Sequence, residues 1–387
     1  MTDVGLYVHV PFCARKCGYC DFYSLVPAET DVELIVDCLP AELTSHLERK
    51  AVHVETIFVG GGTPTFLALP MLEKLLAPLA ALARAHGVAE FSVEVNPGTL
   101  DDAKAAVLRA AGVDRISLGA QSFHRRELAV LDRRHDPEQI AAGAEIIHRA
   151  GFAHFNLDLI FGIPGQTIGR WRDSLRWAIK LRPDHLACYG LTYEPGTPLD
   201  DRRRKGQVEP LSEKQEARLY TTAVETLEAA GYAQYEISNF ARPGGQCRHN
   251  LRYWQNLPTL GIGPAAASYL DGRRWRNVPD VTTYFGRIRE GLPAAVEVEC
   301  LSPLERAGET AMLMLRTVEG IAPARFQQAT GFNPLALFAE TIRRHVSDGL
   351  LEADDERIAL TAAGRLLADS VLADFVAPDP IRPPPAC

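Results

Sequence analysis

The stretch "VHVPFCARKCGYCDFYS", residues 8–24, runs a β-branched strand pattern into a loop with three cysteines, Cys13, Cys17 and Cys20. Three thiolates within eight residues can wrap one soft metal centre. A structural zinc site closes with a fourth protein ligand, commonly from a second C-x-x-C pair. No second pair follows, and the nearby His9 sits in the strand pattern ahead of the loop. An iron-sulphur cluster on three cysteines leaves one iron open to an exogenous ligand. The spacing points to a cluster, with zinc and unligated thiols as competing readings.

Outward from this loop, short β-branched runs alternate with amphipathic stretches: "LYVHV", "ETIFVGGG", "EFSVEVNP", "RISLGAQS", "HFNLDLIFGIP" and "HLACYGLTYEPG". Six βα-type units imply an α/β chain with a parallel sheet and right-handed crossovers. The count suits an incomplete barrel and a doubly wound sheet equally. The polar or Gly-rich tails at 60–65, 94–98, 119–122 and 158–165 favour the barrel, because barrels carry function at the carboxyl ends of many strands and doubly wound sheets at one switch point. We expect a partial (β/α)6 TIM-like barrel over 1–295, a small helical, winged-helix-like domain over 296–377 and a Pro-rich tail at 378–387.

Composition narrows the function classes. At 387 residues the chain exceeds a single core, and its net charge of −8 argues against a nucleic-acid surface. The first ten residues lack the basic flank of an export signal and no run is long and apolar enough to span a bilayer, so a cytoplasmic, reducing location is expected, with peripheral membrane contact left open. The isolated Cys38, Cys188, Cys247, Cys300 and Cys387 read as buried or inert thiols. In the C-terminal region, "EADDE" at the wing turn would set carboxylates against phosphates, which disfavours a DNA-binding regulator. "RRRK", 202–205, reads as a solvated loop, with contact to haem propionates or lipid as the lesser reading.

The C-x-x-x-C-x-x-C loop after a first strand resembles the radical S-adenosylmethionine superfamily. That resemblance implies a 4Fe-4S cluster on Cys13, Cys17 and Cys20 whose open iron chelates S-adenosylmethionine. "GGGTPT", 60–65, taken alone could be only a tight turn, and Glu94, Gln121, Asp158 and Arg133 could each be a hydrogen-bonded rim residue. Taken in order they resemble the coproporphyrinogen-oxidase-like branch over nearly the full chain. By that resemblance Tyr7, Tyr19, Gly61, Gly62, Thr63, Glu94, Gln121, Arg133 and Asp158 contact the cofactor or its cluster. Arg134 is an alternative to Arg133, although the family's R-x-H pattern favours Arg133 with His135.

Two departures select within the branch. The oxygen-independent oxidases look like C-x-x-x-C-x-x-C-x-C with an N-terminal extension; this chain has Phe22 at the last cysteine and its first strand begins near Leu6. Both features resemble the haem chaperones of the same branch. "HNLRYW", 249–254, is similar to their HNxxYW motif, which implies haem contact by His249. An imidazole can ligate haem iron, and Tyr253 and Trp254 offer flat faces to a porphyrin. A core histidine, or ligation by Cys247, are the other readings. The resemblance implies a chaperone that binds haem and passes it to haem-accepting proteins such as respiratory enzymes; the alternative is a coproporphyrinogen III dehydrogenase. No catalytic residue is assigned.

Overall fold

The computed structural model describes residues 1–49 and 51–376; the Pro-rich tail at 378–387 lies outside the described residues. Alternating elements begin with β1 (Thr2–Val10), α1 (Glu29–Arg49), β2 (Val52–Gly61), α2 (Leu69–His86), β3 (Glu90–Val95), α3 (Asp102–Ala110) and β4 (Arg115–Gln121). They continue with α4 (Arg125–Val130), α5 (Pro137–Ala150), β5 (His154–Phe161), α6 (Ile168–Lys180) and β6 (His185–Gly190). Local chemistry sets the boundaries. Asp136 and Gln139 close a capping box around Pro137, Thr167 caps α6, and Gly87 and Gly151 end α2 and α5 in the left-handed region.

β1 to β6 are parallel and lie side by side in sequence order. No reversal of strand order, hence no switch point, interrupts them, which decides between the two expected architectures in favour of the barrel. The sheet is not closed. Past β6, after α7 (Pro198–Arg204) and α8 (Glu213–Ala229), come the short antiparallel β7 (Ala233–Gln234) and β8 (Asn239–Ala241). After α9 (Arg248–Trp254), a seventh parallel strand, β9 (Thr259–Ile262), lies against β1 and continues into antiparallel β10 (Ala267–Leu270), β11 (Arg273–Asn277) and, beyond α10 (Val281–Arg289), β12 (Ala295–Cys300). This extension was not expected from the sequence.

Period two along the strands places the site. Phe91, Val93 and Val95, or Ile116, Leu118 and Ala120, are buried under the helices with Leu72, Leu75, Ile140 and Trp171. The intervening residues turn into the barrel and are polar: Glu90, Ser92 and Glu94 on β3; Arg115 and Ser117 on β4; Asn156 and Asp158 on β5. Register puts Glu94, Ser117, Asn156 and His185 on one rung.

The remaining chain, α11 (Pro303–Met314), α12 (Pro323–Thr330), α13 (Pro334–Leu337), α14 (Ala339–Ser347), β13 (Leu351–Ala353), β14 (Ile358–Leu360), α15 (Ala362–Leu366) and α16 (Ala368–Ala373), packs a separate core around Phe326, Phe338 and Phe375. The acidic turn between β13 and β14 falls where the sequence placed it. This region joins the barrel through the backbone pairs Ile237 N–H to Arg316 O and Val318 N–H to Tyr235 O.

α9 lies inside the barrel, and one carboxylate anchors its N-terminal end. Glu90 accepts from Arg115 Nε at 3.0 Å, from the backbone N–H groups of Arg248 at 3.1 Å and His249 at 3.0 Å, and from Cys247 Sγ at 3.3 Å. Burial alone would raise its pKa, but Arg115 and these donors hold it below the usual carboxylate range. Removing one partner of a buried pair strands the other charge, so Glu90→Ala should lower unfolding stability by about 3–5 kcal/mol. Denaturant unfolding checks this; a loss near zero would mean that α9 is held by something else.

Candidate cofactor site in the barrel lumen

The cysteine loop is fixed from three sides by backbone. Gly62 N–H donates to Val10 O at 2.8 Å and Thr63 N–H to Phe12 O at 2.7 Å; Cys13 N–H donates to Leu25 O at 3.0 Å; Gly18 N–H donates to Leu131 O and Leu199 N–H to Gly18 O. The glycines of "GGGTPT" thus serve the chain itself. Gly61 has φ +98°, and a Cβ there would lie 2.4 Å from the His9 ring.

"RRRK" is solvated at Arg203, Arg204 and Lys205, as expected, but it ends the helix α7 rather than forming a loop, and its first arginine is engaged. Arg202 donates to Val130 O at 2.8 Å and to Asp132 at 3.0 Å, bracing the turn that holds Gly18, while Arg203 and Arg204 pair with the buried Asp200. Sequence reading passed over this because a basic run resembles a solvated surface until its buried acid is known.

Cys13, Cys17 and Cys20 are half-buried free thiols at the mouth of a cavity of about 1140 Å³. Burial raises the Cys13 thiol and pushes Cys20 up to about 11. Cys13 Sγ lies 3.6 Å from Thr63 Oγ1, and Arg133 Nη1 donates to Cys17 Sγ at 3.5 Å. Three grouped sulphur atoms are donors of the kind a soft metal takes. Among the described residues no three His, Cys, Asp or Glu side chains converge as for a single ion. His9 has both ring nitrogens engaged, with Tyr7 OH at 3.2 Å and Tyr23 O at 2.8 Å, so it offers no fourth ligand here.

The structure brings every predicted site residue to this one cavity: Tyr7, Tyr19, Gly61, Gly62, Thr63, Glu94, Gln121, Arg133, Asp158 and His249 all line it with the cysteines. Arg133 donates to Asn96 Oδ1 at 2.7 Å and to Gly119 O, while its buried Nε has no partner. Gln121 ends β4 at φ +63°, beside a bulge opposite β5. Glu94 accepts from Gly61 N–H at 3.0 Å; burial first, then Asp158, pushes its carboxyl up to about 8. Asp158, raised by burial, accepts from Ser117 at 2.9 Å and Asn156 at 2.8 Å.

Asn156 continues to His185 at 2.5 Å, and His185 to Tyr235 OH at 2.7 Å. Sequence reasoning missed these residues and Asn96; the polar half of the strand alternation was the signal for them. His249 is fully buried, with Nδ1 2.8 Å from Thr56 Oγ1, Nε2 3.2 Å from Tyr253 OH and its ring stacked on Phe58. Burial pushes its pKa down to about 3. Cys247 is likewise buried.

Comparison with known proteins places this geometry. Residues 7–178 match the radical SAM superfamily and residues 301–367 the HemN C-terminal domain. Over 378 residues the chain is 39% identical to "Heme chaperone HemW" of Mycobacterium tuberculosis (strain ATCC 25618 / H37Rv), covering 95% of this chain and 93% of that protein. The chain belongs to the radical SAM superfamily, in the HemW group. The Escherichia coli (strain K12) protein of the same name is 34% identical over 393 residues, with 97% and 99% covered. The solved structure of coproporphyrinogen III oxidase (HemN) from Escherichia coli superposes with a TM-score of 0.82 at 25% identity, covering 97% of this chain and 90% of that one. The fold of this chain, barrel and C-terminal region together, is therefore shared with that structure.

A Cβ on Gly62 would lie 2.6 Å from Phe12 O and 2.7 Å from Val10 O, both backbone atoms that cannot yield. Gly62→Ala should cost about 1–3 kcal/mol by overpacking and lower the iron retained after reconstitution. Wild-type melting and iron content in this variant would show that the loop does not depend on that approach.

Proposed function

We propose that this protein is a haem chaperone that holds a 4Fe-4S cluster with exchangeable S-adenosylmethionine and passes haem to acceptor haem proteins, respiratory enzymes among them. The observation that carries the reading is the joint lining of one cavity by the three cysteines and by the HNLRYW helix, α9, in a chain similar over nearly its whole length to proteins named heme chaperones.

The residues present suit the cofactors. Cys13, Cys17 and Cys20 supply soft donors, with Arg133 beside Cys17 to offset their negative charge. Glu94 and Asp158 are buried carboxyls that a cationic ligand would draw into the charged form. Arg133 keeps its unpartnered Nε for a carboxylate. Tyr7, Tyr19, Gln121, Gly61, Gly62 and Thr63 supply the surrounding polar and backbone groups. When bound, the cluster and cofactor supply one-electron chemistry, which by family resemblance bears on haem transfer or dimerisation.

Size favours a second ligand. About 1140 Å³ exceeds the roughly 300–1,000 Å³ of an ordinary small-molecule site, which leaves room for cargo next to the cofactor. Phe22 stands 65% exposed at the mouth, apolar where the oxidases place a further cysteine.

The fold shared with HemN makes decarboxylation of coproporphyrinogen III the alternative, and one experiment separates the two. Haemin added to anaerobically reconstituted protein should give a shifted, saturable Soret band, while coproporphyrinogen III with reduced cluster and S-adenosylmethionine should yield no protoporphyrinogen. Turnover without haem binding would overturn the proposal.

A further inference from the structure

Resting on the haem-chaperone reading, we infer that His135, through Nδ1, is the protein ligand to the iron of the cargo haem, while His249 is a positioning residue for α9.

Four histidines line the cavity: His9, His135, His185 and His249. Three are committed. His9 bridges Tyr7 and the Tyr23 carbonyl, His185 bridges Asn156 and Tyr235, and His249 bridges Thr56 and Tyr253. To ligate iron, any of these would have to give up a buried hydrogen bond and leave its partner unpaired.

His135 differs. Its Nε2–H donates to Ala120 O at 3.0 Å, and its Nδ1 has no protein partner and is not among the buried unpartnered atoms. An imidazole anchored through one N–H on a backbone carbonyl, with the other nitrogen bare, is the arrangement in which histidine binds metals. Burial, then the charge of Arg133, pushes its pKa down to about 4, so the lone pair is free at neutral pH. The carbonyl that orients it belongs to Ala120, at the β4 end where Gln121 is held at positive φ, so the ring's support is rigid backbone.

The surroundings suit an anionic, flat ligand. Arg134, adjacent in sequence, and Arg15, inside the cysteine loop, are exposed, line the same cavity and have no acidic partner among the described residues. Such arginines can take the carboxylates of a tetrapyrrole. His249, by contrast, is tied to Thr56 on β2 and stacked on Phe58, which fixes α9 against the strand.

The test uses full-length, cluster-reconstituted protein and ferric haem. His135→Ala should weaken haem binding at least about tenfold, the scale seen when a metal's ligand environment is altered, and shift the Soret maximum, with added imidazole restoring it. His249→Ala should lower thermal stability yet keep an imidazole-ligated haem spectrum. Wild-type affinity and spectrum in His135→Ala would overturn the assignment while leaving the chaperone reading intact; absence of haem binding in wild type would overturn both. A measurement free of variants covers a misfolded mutant: bound haem should protect His135 from carbethoxylation in wild-type protein, and undiminished labelling would equally overturn the assignment.

Discussion

The structure depends on a division of labour within each parallel strand. One side chain in two must be apolar, because helices cover that face; the other points into the lumen, where a barrel without a ligand would be filled by Val, Ile and Leu. Here the lumen carries Glu90, Glu94, Asp158, Arg115, Asn156 and His185. Burying such groups is expensive unless each finds a partner. At the base they do: Glu90 is saturated by Arg115 and the start of α9. Towards the mouth they do so only in part, since Glu94 accepts a single backbone N–H and is left largely protonated at neutral pH. On the proposed function, a cationic ligand would complete this end of the lumen.

The two ends of the lumen are joined. From Asp158 a hydrogen-bonded run passes through Asn156, His185 and Tyr235 to the backbone of Cys247, whose thiol meets Glu90. The cofactor end and the helix bearing HNLRYW are thus parts of one polar interior. α11 packs against α9, so the C-terminal region meets the helix at this end of the lumen.

Much of this was legible in the sequence because its signals are local. Cysteine spacing, a glycine run after a strand and polar strand tails need no knowledge of the fold, and the cysteines, Gly61, Gly62, Thr63, Glu94, Gln121 and Asp158 meet in one cavity. What stayed hidden was non-local. β9 to β11 arise from a Gly-, Ala- and Arg-rich stretch whose strand character comes from the pairing of β9 with β1 and of β10 and β11 outward from β9. The role of Arg202 depends on Asp132, 70 residues away. The family motif drew attention to His249, but only the structure shows both its nitrogens engaged, and only the structure shows His135 with one to spare. The alternation E-F-S-V-E-V of β3 did carry the polar lumen in plain sight.

The central claim, that the lumen's buried carboxyls wait for a cationic ligand, is tested most directly by counting protons. Calorimetry of S-adenosylmethionine binding at about pH 7, in buffers of different ionisation enthalpy, should show wild-type protein releasing about one proton more per ligand than Glu94→Gln, because binding draws a carboxyl of pKa about 8 into its charged form. Wild-type affinity should accordingly rise with pH until Glu94 is ionised. Equal proton release in the two proteins, with the same pH dependence, would contradict the account.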